Sequence, residues 1–243
     1  MLNIKILTLF PEFYPGPLKY SIVGEALKKK LWNLNIYNIR DFAQDNHKTV
    51  DDIPYGGGSG MVMKADILAQ AIENATNNNP EKHLILYPTP RGSLLKQKKI
   101  VEFAKKTNIL FVCGRYEGID QRVIDKYNII EFSIGDYILS GGEIPSYVLI
   151  DAMVRTLPNV LGNSSSLEEE SFAVDTTFEN LLEYPLYTRP AVWDNRKVPD
   201  VLLSGNHKEI NKWRLSEAEK DTKTRRPDLW KQHTQNTANQ TDG

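Results

Sequence analysis

The run Ile109-Leu110-Phe111-Val112-Cys113-Gly114-Arg115-Tyr116-Glu117-Gly118-Ile119-Asp120 passes from an unbroken apolar stretch into a charged loop that carries two glycines. Five consecutive apolar residues have the length of a strand rather than a helix. The glycines that follow let the backbone turn sharply or approach a ligand closely. Outward from this point the same alternation repeats. Apolar runs predict strands at Ile4–Leu9, Asn35–Ile39, Leu84–Tyr87, Ile109–Cys113 and Ile129–Phe132. Helical patterns fall between or after them at Ser21–Lys30, Ala65–Asn74, Leu95–Lys105, Gly118–Lys126 and Ile144–Arg155. Strand and helix alternating at this spacing specify an α/β domain with a largely parallel sheet.

In such sheets ligands bind beyond the carboxyl ends of the strands. Three successive strand ends here run into loops rich in glycine or proline: Tyr87-Pro88-Thr89-Pro90-Arg91-Gly92, Cys113–Asp120, and Ile134-Gly135-Asp136-Tyr137-Ile138-Leu139-Ser140-Gly141-Gly142-Glu143. Any one of them reads as turn punctuation. Three in one sheet point to a binding site built mostly from backbone. A fourth long loop, Asp41–Lys64, contains Tyr55-Gly56-Gly57-Gly58-Ser59-Gly60-Met61.

At 40% hydrophobic and 25% charged residues the composition is that of an ordinary globular protein. The apolar runs are strand-sized, well short of the roughly 20 residues that span a bilayer. The N-terminus lacks the basic flank and long apolar core of a signal peptide. One cysteine, Cys113, permits no internal disulfide. These features lead us to expect a cytoplasmic protein with no membrane partner. The net charge of −1 argues against a surface that grips nucleic acid everywhere. Its distribution is uneven: residues 1–188 carry 19 basic and 23 acidic side chains, residues 189–231 carry 11 and 7. A basic C-terminal segment can meet a polyanion, or can simply be a solvated helical surface.

We divide the chain into residues 1–160 as the α/β domain, 161–189 as an exposed linker and 190–243 as a small basic domain. The linker is Ser-rich, then acidic at Glu168-Glu169-Glu170. Helices are predicted in the last segment over Lys208–Lys220 and Pro227–Gln232, before a polar tail.

Several chemistries find no support. His47, His83, His207 and His233 lack ligand-like spacing, so no metal site is assigned. Tyr55–Gly60 lacks the Lys-Ser/Thr of a phosphate loop. No dinucleotide fingerprint and no nucleophile elbow are present.

Specific blocks do match a known family. Thr49–Asp52 with Pro54–Gly58, Val112–Asp120, Ser133–Glu143, Tyr187-Thr188-Arg189-Pro190 and Val201–His207 resemble the bacterial tRNA (guanine-N1)-methyltransferases, in order and spacing, to about Trp230. The resemblance implies a SPOUT-type parallel sheet with a deep trefoil knot, a small mainly helical C-terminal domain and a homodimer. It implies S-adenosylmethionine as methyl donor, tRNA as partner, and N1 of the guanine immediately 3′ of the anticodon as acceptor. Carried over residue by residue, the cofactor contacts fall on Tyr87, Pro88, Pro90, Gly114, Tyr116, Glu117, Ile134, Gly135, Asp136, Tyr137, Ile138, Leu139, Gly141 and Gly142.

Methylating neutral guanine at N1 requires loss of its proton while negative charge gathers on O6. A carboxylate base and a donor near O6 are therefore expected. The resemblance puts the donor on Arg155. For the base, the family has Asp before Ser-Phe, where this chain has Glu170-Ser171-Phe172. The segment that follows is longer than the usual pattern, and counting back from Tyr187 reaches Asp175 instead. Glu170 has the Ser-Phe context and is the preferred base, with Asp175 the alternative. Magnesium is implied by analogy only, with Glu117 and Glu168–Glu170 as places where an ion would help. Two readings stay open beside this one: an RNA-binding protein without catalysis, and a methyltransferase with another acceptor.

Overall fold

The computed structural model describes residues 1–162 and 167–241. Two units divide the chain, Met1–Gly162 and Asn163–Gly243.

In the first unit β1 (Leu2–Thr8) leads through α1 (Ser21–Lys28) to β2 (Trp32–Asn38). A short antiparallel pair, β3 (Asp51–Asp52) and β4 (Val62–Met63), precedes α2 (Ala65–Ala75). Then follow β5 (Leu84–Leu94), α3 (Gln97–Ala104), β6 (Asn108–Val112), α4 (Gln121–Lys126), β7 (Ile130–Ser133) and α5 (Glu143–Val154). The five long strands form one parallel sheet in the order β2-β1-β6-β5-β7.

Successive side chains of a strand leave on opposite faces, and here both faces are covered. Ile109, Phe111 and Cys113 pack with Ile4, Ile6, Leu86 and Phe132 against Val23 and Ala26 of α1, Ile100 and Phe103 of α3, and Leu149, Ile150 and Met153 of α5. The alternate residues Leu110 and Val112 join Leu7, Ile85 and Tyr87 against Leu68, Ala71 and Ile72 of α2 and Val123 and Ile124 of α4. Each large aliphatic side chain fully buried in this way contributes roughly 1.5–3 kcal/mol.

Strand β5 extends beyond the predicted Leu84–Tyr87. It pairs with β7 at Leu86, Tyr87 and Pro88, loses register, and pairs again at Ser93 and Leu94. Pro88 and Pro90 have no N–H to donate, so Thr89–Gly92 bulges out of the ladder. Gly92 lets the returning chain press on β7, since a Cβ there would lie 2.3 Å from the Phe132 amide nitrogen.

In the second unit β8 (Val192–Trp193) and β9 (Arg196–Lys197) form a hairpin, and α6 (Asp200–Leu203), α7 (His207–Arg225) and α8 (Pro227–Thr241) follow. Asn206 caps α7 through a 3.4 Å bond from the Glu209 amide. Helix α8 begins at Pro227, a residue pre-set for the first helical position, and runs past the predicted Gln232.

The expected exposed linker over 161–189 is exposed at Leu186–Arg189 but packed within 173–184. Ala173, Phe178, Leu181 and Tyr184 are buried and form this unit's apolar cluster with Ala218, Trp213, Leu215 and Trp230. Helix α7 is polar over most of its surface and buries only Ile210, Ala218 and Thr222, so the segment before it supplies the missing core. Backbone bonds fix it in place: the Leu182 amide donates to Thr222 Oγ1 at 2.8 Å and the Phe172 amide to the Leu181 carbonyl at 2.9 Å. Ser164–Ser166, the Ser-rich part of that reading, lies outside the described residues.

Candidate functional site

The three strand-end loops of the first unit converge on a cleft of about 220 Å³. Of the fourteen cofactor residues expected from the sequence, thirteen line it. Tyr87, Pro88 and Pro90 come from β5; Gly114, Tyr116 and Glu117 follow β6; Ile134, Gly135, Tyr137, Ile138, Leu139, Gly141 and Gly142 follow β7. Asp136 is exposed and is not part of the wall.

Small residues are needed here because the loops touch. The Tyr87 ring occupies the space beside Gly114, where a Cβ would fall 2.6 Å from a ring carbon. A Cβ on Gly142 would lie 2.8 Å from the Cys113 Cα, and the Gly142 amide donates to the Gly114 carbonyl at 3.0 Å. Burial pushes the Tyr87 phenol above its usual pKa. The rim is apolar and open: Tyr137 is 54% and Ile138 80% exposed. Glycine backbone, proline and apolar rims suit a flat heteroaromatic ring with a short polar tail.

Sequence reasoning missed Thr89, Arg115, Gly118, Phe132, Ser133, Ser140 and Pro145, which also line the cleft. Most adjoin a predicted residue, so the signal was proximity. Arg115 has a distinct role. Its Nη2 lies 2.8 Å from Glu143 Oε2, an ion pair whose side chains are 17% and 1% exposed. Thr8 Oγ1 donates to the other Glu143 oxygen at 2.7 Å. Glu143 opens α5, where the helix dipole favours an anion.

Below the cleft, Tyr14 Oη lies 3.5 Å from Cys113 Sγ. Burial first, then the Glu143 charge, pushes the Cys113 thiol up to about 12. It is an inert packing residue.

Arg155 is half-buried at the C-cap of α5, its amide donating to the Asp151 carbonyl at 3.1 Å. Glu170 and Asp175 belong to the second unit, Glu170 half-buried and Asp175 exposed. Glu169 is already engaged: its Oε2 accepts from Tyr184 Oη at 2.6 Å and from Arg214 Nη1 at 2.8 Å. Burial, then the Glu170 and Glu169 carboxylates, raise the pKa of Glu183. Among the described residues no group of three His, Cys, Asp or Glu side chains could hold a metal ion. None of the described helices is long and apolar enough to cross a membrane.

Residues 2–232 match the model of the family described as tRNA (Guanine-1)-methyltransferase TrmD. A tRNA (guanine-N(1)-)-methyltransferase of Rickettsia akari (strain Hartford) is 52% identical over 231 residues, covering 95% of this chain and 98% of the relative. The Ehrlichia canis (strain Jake) protein of that name is 53% identical over 228 residues, 94% and 95% of the two chains. That of Pelagibacter ubique (strain HTCC1062) is 48% identical over 236 residues, 97% and 100%.

Proposed function

This chain belongs to the tRNA (guanine-1)-methyltransferase family, and from that premise we propose that it transfers a methyl group from S-adenosylmethionine to N1 of the guanine immediately 3′ of the anticodon in tRNA. The observation that carries the reading is the cleft at the carboxyl ends of β5, β6 and β7, whose walls are glycine backbone and apolar side chains. The residues present fit the cofactor. Space that a Cβ would fill at Gly114 and Gly142 is left for close backbone packing, and no lysine stands ready for a phosphate.

When bound, S-adenosylmethionine supplies an activated methyl group on a sulfonium. The chain's own residues do the rest. The backbone of 114–117 and 134–142 and the Tyr87 and Pro88 side chains hold and orient the donor. Glu170 takes the N1 proton and Arg155 steadies the charge that gathers on O6. Two features favour Glu170 over Asp175. Residues 173–180 are pinched off by the bonds from the Phe172 amide to the Leu181 carbonyl and from the Glu183 amide to Ser171 Oγ, 2.8 Å. Asp175 lies on that pinched-off loop, whereas Glu170 stands at its neck, next to the Glu169 anchor on Arg214.

The reading includes a homodimer, the cytoplasm as its place of action and the family's knot. Helix α5 is apolar on nearly all sides, and its outer face leaves Ile144 48% and Val148 47% exposed. A helix of that kind is covered on both sides in its working state. Magnesium fits the described residues less well, because Glu169 is committed to Arg214 and Tyr184, and no step is assigned to it.

Single-turnover methyl transfer to tRNA by Glu170→Ala and Asp175→Ala tests the assignment. Loss in the first alone supports it. Loss in the second alone moves the base to Asp175.

A further inference from the structure

Arg115 was not among the expected cofactor residues, yet it joins the loop after β6 to the loop after β7 and to the start of α5. It follows β6. Its Nη1 donates to the Ser140 carbonyl at 3.1 Å, in the loop after β7. Its Nη2 pairs with Glu143 at the start of α5, and Glu143 is tied in turn to Thr8 at the end of β1. The guanidinium also lies over the Phe10 ring, 4.5 Å from its centroid. Gly141 packs on it so closely that a Cβ there would be 2.4 Å from Nε.

This arrangement is costly for a purely structural contact. Two charges are withdrawn from water, and a buried ion pair is weak evidence for stability. Arg115 Nε is buried and has no hydrogen-bond partner among the described residues. An apolar pair would fill the same space without those penalties. What the ion pair provides is direction: one nitrogen of the guanidinium bonds the Ser140 carbonyl while another faces the Glu143 carboxylate at the first turn of α5.

We propose that Arg115, held by Glu143, is a positioning residue that presets the 135–142 loop for the methyl donor. It acts through Ser140, Gly141 and Gly142 and does not touch the transferred methyl group. The inference rests on the cofactor reading of the cleft. Without the fork the loop samples open states, and part of the binding free energy goes into ordering it.

The test is calorimetric titration of S-adenosylmethionine into the full-length protein and its Arg115→Lys and Glu143→Gln variants, with steady-state kinetics and melting curves alongside. We expect both variants to bind the donor roughly tenfold or more weakly, with KM for it rising by a similar factor. The kcat at saturating donor and the KM for tRNA stay within about twofold of the parent. A purely structural role would lower the melting temperature and leave donor affinity unchanged in the folded protein, which overturns the proposal. A large fall in kcat at unchanged donor affinity overturns it as well, by making Arg115 a catalytic residue. Should the charge variants fail to fold, Thr8→Val decides, because it keeps both charges but removes the bond that anchors Glu143 and the one that holds the Phe10 amide beneath Arg115, loosening the fork. Weaker donor binding supports the proposal; parental affinity contradicts it. Failure of the parent protein itself to bind the donor defeats the cofactor reading instead.

Discussion

The Tyr87 ring and Gly114 are packed so tightly that a single added methyl group on Gly114 would meet the ring at 2.6 Å. Both line the cleft, one from the end of β5 and the other from the end of β6.

Gly114→Ala therefore pushes the Tyr87 ring into the cleft. Overpacking of this kind costs roughly 1–3 kcal/mol, which taken from binding is about a five- to 150-fold loss of donor affinity. Titration with S-adenosylmethionine measures it, and tRNA binding should be retained. Parental donor affinity in this variant would mean that the ligand lies elsewhere.

Removal of the proposed base should be felt in the chemical step. Glu170→Ala and Arg155→Ala are each expected to lower single-turnover transfer by about 10²-fold or more. Donor affinity, measured separately, should hardly change. A Glu170→Asp variant keeps the carboxylate with a shorter reach and should recover part of the rate.

Cys113 is buried and its thiol stands at about 12, so it remains protonated at neutral pH. The folded protein should resist a thiol-reactive dye and take up one equivalent only on denaturation. Rapid labelling of the native state would place this thiol at an accessible surface.

Glu183 carries a folded-state pKa above the ordinary carboxylate value of about 4.3. A raised carboxyl favours the folded state while it is protonated. That contribution is lost as pH rises from the unfolded value through the folded one. Glu183→Gln should thus melt above the parent protein at neutral pH, with the difference closing as pH falls to about 4. A difference independent of pH would assign the effect to packing.

The outer face of α5 predicts association. Val148→Glu puts a charge on a half-exposed apolar patch and should shift the sedimenting species to the monomer. A parent protein that sediments as a monomer and is fully active would remove the dimer from the account.

Much of the first unit is legible in the residues because its strands are short apolar runs that end in glycine or proline. The five strands and the helices between them stand within a few residues of where Ile4–Leu9 through Ile144–Arg155 predicted them. The return of β5 to the sheet at Ser93 was not legible, since the proline-broken 88–92 stretch reads locally as a loop and its re-pairing depends on β7. Nor was the role of 167–189. Its acidic surface looks like a linker, while Phe178, Leu181 and Tyr184 stand on a stretch of turns and coil whose packing depends on α7, distant in sequence. The cleft residues came largely from resemblance. Glycine and proline mark the loops, but neither tells which loops meet. Arg115 escaped because a charged residue after a strand looks solvent-facing until Glu143, distant in sequence, is seen beside it.

The most direct measurement is methyl transfer from labelled S-adenosylmethionine to tRNA transcripts that differ only in guanine or adenine 3′ of the anticodon, followed by nucleoside analysis. The account predicts N1-methylguanosine from the guanine transcript and no labelled product from the adenine one. Label in a ribose or in another base, or no transfer despite binding of both donor and tRNA, would contradict it.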